Sequence, residues 1–252
     1  MLTDLAAFGC LFCGGIGVGN SLGRGFGLSA FALKIVAIVA MTCNHIAHGF
    51  ESSLPPYLLT PFYAAGGLTF PIMAYLMIEG YHKTSDIKKY MLRLLFFGVL
   101  ALLPFAMLFG MHLNVLFTFL LGLVCLYLHD NMKNKVLFWF CFAGIVLFTV
   151  FCDWSFVGVP MILLYGIIKN PKRSLVITTV GASLVMLLII VLFNGQNALD
   201  IGFCIVILCV IPLLLAYNGE RGYSPRPLRY MFYIYYPAHL LVIGGIAWLV
   251  YR

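Results

Sequence analysis

The chain has 252 residues, of which 63% are hydrophobic and 9% are charged. An ordinary soluble domain has roughly 25% charged residues, so the composition excludes that class and indicates a protein that crosses a membrane several times. The net charge of +7 comes from basic residues scattered over short loops. This pattern favours contact with anionic lipid headgroups of the bilayer and excludes nucleic acid as a partner.

Residues 1–30 form an apolar segment that is rich in glycine, which weakens a helix. The segment lacks the charged start of a secretory signal peptide. We therefore expect an interfacial or weakly inserted leader at 1–30, followed by one transmembrane domain at 31–252. If the leader does cross the membrane, the N-terminus lies outside and the rest of the topology is unchanged.

Nine apolar stretches follow in chain order, separated by short polar or Pro/Gly turns. They predict an all-α polytopic membrane protein with about nine transmembrane helices in a single bundle. The predicted membrane-crossing segments are 31–50, 62–81, 91–109, 113–128, 136–152, 156–168, 174–193, 200–217 and 230–250.

The positions of lysine and arginine predict the orientation. If the helix from Phe31 starts at the cytoplasm, every Lys and Arg except the terminal Arg252 lies on the cytoplasmic side. We therefore expect a multi-pass protein of the plasma or inner membrane with an extracytoplasmic C-terminus.

Two histidines interrupt the first and last apolar segments. An ionisable side chain in hydrocarbon costs on the order of 3 kcal/mol or more unless it faces the bundle interior and finds a partner. At about 1.5 Å rise per residue, His45 and His239 lie near one level of the bilayer. A neutral imidazole there can act as a general base on an amine or hydroxyl, or can simply bond across helices. His45 and His48 share a face but have no third ligand nearby, so we expect no metal.

A second polar layer lies near the predicted cytoplasmic face. Lys34, Glu79 and Arg93 each lie within about one turn of a helix end, and Arg221 lies in the last cytoplasmic loop, YNGERG. These side chains could form an ion-pair belt that joins the helix ends. Alternatively, the cations could capture a phosphorylated ligand from the cytosol.

A third polar set lies at the predicted outer ends. Asn114 opens the fourth apolar segment, and Asp153 lies in the turn FCDWSFVG. Both could cap helices or face water, or they could flank an external entrance above His45. Polar groups at three depths predict a polar path that would serve transport or transmembrane group transfer.

Several blocks, in order from about residue 31 to 245, carry a family resemblance. They are ALKIVAIVAMTCNHIAHGF, LTFPIMAYLMIEGYHKTSDIKKYMLRLL, LNVLFTFLLGL, Asp153 with Gly158, YNGERG and RYMFYIYYPAHLLVI. Together they resemble the TraX family, typified by a conjugation-associated protein that acetylates the N-terminus of pilin. That family is similar to the wider membrane acyltransferases, which take acetyl-CoA from the cytosol and rely on a histidine in the first helix.

The resemblance implies a site on this chain. It places the central base at His45 and carries over Lys34, Pro71, Glu79, Gly80, Thr84, Tyr90, Arg93, Asn114, Thr118, Asp153, Asn218, Gly219, Tyr236, Pro237 and His239. Asn44 is a departure, because the family usually has Asp before the histidine, and an amide cannot stabilise imidazolium by charge.

From the residues and the resemblance together, we expect an acetyl-CoA-dependent acetyltransferase. Its predicted catalytic residues are His45, Asn44, His239, Asn114 and Asp153. Its predicted donor-binding residues are Lys34, Glu79, Arg93, Asn218 and Arg221. The acceptor would be a pilin or peptide N-terminus, a glycan or a lipid headgroup, and the chain could form a homo-oligomer. The alternatives are a small proton-coupled transporter and a non-catalytic assembly subunit.

Overall fold

The structure is a computed structural model that describes residues 27–194, 198–223 and 225–252. Most of the predicted leader, residues 1–26, lies outside the described residues. The described part of the chain is helical, which confirms the all-α prediction. Its helices are α1 (Ala30–Gly49), α2 (Pro56–Lys83), α3 (Ile87–Leu100), α4 (Leu102–Phe109), α5 (Val115–Asn131), α6 (Lys135–Phe148), α7 (Ser155–Ile167), α8 (Pro171–Ile189), α9 (Ala198–Leu208), α10 (Val210–Leu215) and α11 (Arg226–Tyr251).

The predicted number of nine membrane-crossing helices is not supported. Within the described residues, four helices are long and apolar enough to cross: Ala30–Gly49, Pro56–Lys83, Pro171–Phe193 and Met231–Tyr251. The pair α3 and α4 makes a fifth if the two helices, bent by 52°, form one crossing segment. The other four predicted segments are shorter apolar helices. The 13 residues of α7, for example, reach about 20 Å, against a hydrocarbon core of about 30 Å.

Proline explains why two of the predicted segments are each divided into two helices. Helix α3 ends at Leu100 and α9 ends at Leu208. Pro104 and Pro212 each lie four residues beyond the last residue of these helices. A proline has no N–H to bond the carbonyl four residues earlier, and its ring clashes with that carbonyl. Both breaks lie at this spacing, although the prolines inside α2, α7 and α11 do not interrupt those helices.

Helix α2 lies at the centre of the bundle. It packs along α1 and also contacts α7, α9 and α10, while α11 packs on α1, α3 and α4. A stack of aromatic rings joins the central helix to its neighbours, because Phe70 stacks on Phe119 at 4.8 Å and on Trp154 at 4.5 Å between ring centroids. The first helix, α1, therefore contacts both the central helix α2 and the last helix α11.

Candidate functional site

The two predicted histidines meet in the bundle interior. His45 on α1 and His239 on α11 are both buried. Nδ1 of His45 lies 2.7 Å from Nε2 of His239. Nδ1 of His239 lies 2.8 Å from the carbonyl oxygen of Tyr235, one turn earlier on α11. Helix rise predicted that His45 and His239 lie at the same depth in the bilayer, and in the structure the two side chains are in direct contact.

The partners of the two rings assign their protons. A carbonyl oxygen accepts hydrogen bonds and cannot donate them, so His239 carries its proton on Nδ1 and donates it to Tyr235. The neutral ring of His239 then presents a lone pair at Nε2, and His45 must donate its own Nδ1 proton to it. This arrangement leaves a lone pair on Nε2 of His45, as a general base requires.

Neighbouring rings fix the orientation of the pair. The ring of Tyr235 stacks on His239, with 4.9 Å between centroids. The rings of Phe109 and His45 pack edge to face, with 5.2 Å between their centroids. The Thr42 hydroxyl donates to the Ile38 carbonyl, so the Tyr235 hydroxyl donates to Thr42 Oγ1 across 2.8 Å. Helices α1 and α11 are therefore tied together beside the histidines.

His45 lines a cavity of about 320 Å³, which we call the histidine cavity. His48 and two carboxylates, Asp153 and Asp200, also line it. Much of the remaining wall is aromatic and includes Tyr63, Phe70, Phe105, Phe109, Trp154 and Phe203. Among the described residues, no lysine or arginine lines this cavity. Its charged side chains are therefore acidic.

Asp153 reaches the histidine cavity from a tight turn between α6 and α7. Trp154, the next residue, has φ of 59°, a left-handed conformation that is costly for a bulky side chain. The Asp153 carboxylate accepts the Trp154 N–H at 2.9 Å and supports this conformation. Removal of the carboxyl from water raises the pKa of Asp153 to about 6, although the Trp154 N–H bond opposes the shift.

Asp200 was missed by the sequence analysis. The Tyr63 hydroxyl donates to its Oδ1 at 3.0 Å, and the ring of His48 lies 4.9 Å from that of Tyr63. Asp200 is one of eight acidic residues in the chain and opens the predicted segment 200–217. Asp200 carries the same signal in the sequence as Asp153, a carboxylate at the end of an apolar segment.

Asn44 bonds to the backbone of α2 instead of to His45. Its side-chain nitrogen donates to the Tyr63 carbonyl at 2.7 Å. Gly66 makes room for the amide, because a Cβ built there would lie 2.5 Å from that nitrogen. Asn44 also lines the histidine cavity. It therefore fixes how α1 packs on α2 beside the predicted base.

Most of the predicted donor-binding residues lie together at the other end of α1. They line a second cavity of about 630 Å³, which we call the cationic cavity. Its charged side chains are Lys34, Lys83, Arg93, Arg221 and Glu79. The Glu79 carboxylate accepts from Lys83 and from the Tyr217 hydroxyl, so it is already paired. The ammonium of Lys34 lies 5.3 Å from the ring centroid of Phe232.

The loop that carries Arg221 is fastened to the start of α1. The N–H groups of Ala30 and Phe31 donate to the carbonyls of Glu220 and Arg221. Gly222 has φ of 66°, and a Cβ there would lie 2.4 Å from Ser29 Oγ. These bonds hold the loop at the opening of the cationic cavity.

Two predicted site residues have backbone partners. Asn218 accepts from the Glu220 N–H within the turn and is absent from the cavity lining. Buried Asn114 caps α5 by accepting from the Leu116 N–H at 3.1 Å, and it donates to the Gly98 carbonyl on α3 at 2.8 Å. Within the part of the chain described, it lines neither cavity. The capping interpretation of Asn114 is the one that fits its contacts.

The two cavities adjoin. Four residues line both of them: Met41, Thr69, Val115 and Tyr236. The bundle thus holds an acidic, aromatic cavity and a cationic cavity with a common wall, and His45 faces the first. Over the ranges that the structure describes, no three His, Cys, Asp or Glu side chains form a metal-binding group.

The hydrogen bond from Asn44 to α2 predicts how an aspartate, the residue that the family usually has here, would change stability. Asn44→Ala loses one hydrogen bond and should lower the free energy of unfolding by about 1 kcal/mol. Asn44→Asp should cost more, about 1–3 kcal/mol, because an ionised carboxylate cannot donate to the Tyr63 carbonyl and repels it. Thermal unfolding of the three proteins in lipid nanodiscs measures the order. An Asn44→Asp variant as stable as the wild type would contradict this role of the amide.

Comparison with known proteins agrees with the resemblance in the sequence. The family model described as TraX protein matches residues 29–247. The chain is also 28% identical over 243 residues to "Probable fimbrial assembly protein FimC, serogroup H1" of Dichelobacter nodosus, an alignment that covers 88% of this chain and 97% of that protein. No solved structure matches the chain. The family match covers most of the transmembrane domain, and the chain belongs to the TraX family of membrane proteins.

Proposed function

We propose that this protein is a membrane acetyltransferase that moves an acetyl group from cytosolic acetyl-CoA to an amine on the opposite side of the membrane. The observation that carries the proposal is the contact between His45 Nδ1 and His239 Nε2, which leaves Nε2 of His45 with a lone pair. His45 lines an acidic cavity that adjoins a cationic one. Acyl transfer to an amine requires a base in the acceptor site and a donor site next to it, and the two adjoining cavities offer this arrangement.

The cationic cavity is the proposed donor site. Acetyl-CoA carries several phosphate charges, and four lysine and arginine side chains line this cavity. Excess basic residues mark the cytoplasmic side, so the orientation predicted from the sequence opens this cavity to the cytosol. Arg93 and Arg221 offer planar groups suited to bidentate phosphate contacts, and Lys34 lies deeper along α1.

The histidine cavity is the proposed acceptor site. Asp153 and Asp200 give it negative charge, and aromatic faces add attraction for a cation. These features fit a protonated amine better than a neutral hydroxyl. Because the chain is similar to a fimbrial assembly protein, we propose the N-terminus of a pilin or another exported peptide as the acceptor.

His45 is the proposed base. After the ammonium loses one proton in the acidic cavity, the amine attacks the thioester carbonyl, and Nε2 of His45 takes the second proton from nitrogen. His239 is the proposed positioning residue, because its Nε2 accepts the His45 Nδ1 proton and holds the ring in the basic tautomer. The same contact helps His45 to bear the added charge.

The direct test compares His45→Ala with a matched histidine variant. His82 lies exposed near the end of α2 and lines neither cavity, so His82→Ala is the control. The assay follows acetyl transfer from acetyl-CoA to a short peptide with a free N-terminus, in nanodiscs. Loss of a general base should lower the rate of His45→Ala by about a hundredfold or more, with His82→Ala unchanged.

Three results would each contradict part of the proposal. Acetyl transfer by His45→Ala at the wild-type rate would remove His45 as the base. If the wild type transferred no acetyl group but dissipated a proton gradient in proteoliposomes, the transporter interpretation would replace the enzyme. Transfer to a hydroxyl-terminated peptide at the same rate as to the amine would contradict the proposed acceptor class.

The donor site makes a separate prediction. Loss of a charge-assisted contact costs about 1.5–3 kcal/mol, so Arg93→Ala should weaken CoA binding by about ten- to hundredfold. Arg173 lies exposed at the start of α8 and lines neither cavity, so Arg173→Ala should bind CoA as the wild type does. Calorimetric titration with CoA measures both constants. Equal affinities for the two variants would remove Arg93 from the donor site.

A further inference from the structure

Two buried hydroxyl groups have no hydrogen-bond partner among the described residues. They belong to Thr178 on α8 and Tyr236 on α11. A buried hydroxyl without a partner lowers stability, and folded proteins satisfy most such groups. Thr178 lines neither cavity, whereas Tyr236 lines both. An unsatisfied hydroxyl at the junction of two cavities therefore needs an explanation that packing alone does not give.

The common wall of the cavities offers few polar side chains. Of its four residues, Met41 and Val115 have apolar side chains, and the Thr69 hydroxyl already donates to the Ala37 carbonyl at 3.2 Å. Tyr236 carries the remaining polar group. Its ring lies 5.7 Å from that of His239, one turn before the histidine on α11. Among the described residues of this wall, Tyr236 therefore carries the side-chain donor that has no acceptor.

Any acyl group that moves from the cationic cavity to His45 must cross this wall. Met41 is flexible and unbranched, so its side chain can shift without a backbone change. When the wall opens, the hydroxyl of Tyr236 would face the group that enters. A carbonyl oxygen carries no donor of its own and is the partner that this hydroxyl lacks.

We propose that Tyr236 is a catalytic residue that donates a hydrogen bond to the carbonyl oxygen of the thioester at the junction of the cavities. This inference rests on the proposed acetyltransferase function. The amine nitrogen forms a bond to the carbonyl carbon, and the carbonyl π electrons move to oxygen, which accepts from the Tyr236 O–H. His45 takes the N–H proton. When the C=O bond re-forms, the C–S bond breaks, and the sulfur leaves with its electron pair and receives the proton from His45.

The position of the hydroxyl favours the transition state over the ground state. Negative charge develops on the carbonyl oxygen as the bond to nitrogen forms. A fixed donor beside that oxygen lowers the energy of the transition state most when water is excluded from the site. Tyr236 is about 5% exposed, so little water competes with the ligand for its hydroxyl. The cost of leaving the hydroxyl unpaired in the free protein is recovered when the thioester binds.

The test uses Tyr236→Phe, which removes the hydroxyl and keeps the ring. Thr178→Val is the matched control, because it removes the other unpaired buried hydroxyl, at a residue that lines neither cavity. Neither variant should lower the melting temperature in nanodiscs by more than a few degrees, since neither hydroxyl donates a hydrogen bond to the protein. With acetyl-CoA and a peptide bearing a free N-terminus, kcat of Tyr236→Phe should fall by about a hundred- to a thousandfold. Its affinity for CoA should be unchanged, and Thr178→Val should keep the wild-type kcat.

A spectroscopic measurement tests the same bond without an acceptor. The carbonyl stretch of isotope-labelled acetyl-CoA should lie at lower frequency when bound to the wild type than when bound to Tyr236→Phe. If acetyl-CoA binds both proteins and the frequency and kcat are the same, Tyr236 does not bond the thioester, while the proposed function stands. If the wild type neither binds acetyl-CoA nor transfers the acetyl group, the proposed function fails and this inference fails with it.

Discussion

The site depends on one hydrogen-bonded chain, which runs from His45 through His239 to the Tyr235 carbonyl. The Tyr235 carbonyl can only accept, so His239 must donate from Nδ1, and His45 must then donate to Nε2 of His239. The proton positions of both rings therefore follow from the backbone of α11. The chain joins the first and last helices of the bundle and leaves one imidazole nitrogen available as a base. The stacked ring of Tyr235 and the edge of Phe109 keep the two rings in place. In hydrocarbon surroundings this network satisfies polar groups that would otherwise destabilise the bundle, so structure and proposed chemistry rest on the same contacts.

The second constraint is the separation of charge between the two cavities. Four cations line the cavity near the start of α1, and two carboxylates, Asp153 and Asp200, line the cavity near its end. A phosphorylated donor and a cationic acceptor would therefore each be attracted to the opposite face of the same wall. The two faces are built differently. The cationic side uses long side chains and a loop fastened to α1, whereas the acidic side uses a turn with a left-handed Trp154 and an aromatic stack.

The sequence predicted those features that depend on position along a helix. Helix rise placed His45 level with His239, and Lys34, Glu79 and Arg93 at one end of the bundle, and the structure brings each group together. It could not predict what depends on partners from distant segments. The side chain of Asn44 bonds to α2, and of the two interpretations that the sequence left open for Asn114, its contacts are those of a helix cap. The number of crossing helices was overestimated because four of the nine apolar segments form helices of only 10–17 residues, shorter than the about 20 residues that a crossing needs.

The central claim is that His45 is neutral with its proton on Nδ1, so that Nε2 is the base. Nitrogen-15 NMR of the isotope-labelled protein in nanodiscs at neutral pH measures it directly, with His45→Ala and His239→Ala to assign the signals. We predict that both histidines show a protonated Nδ1 and an unprotonated Nε2, with a coupling across the bond between the rings. A His45 protonated at Nε2, or at both nitrogens, would leave the proposed base without a lone pair at the cavity and would contradict the account.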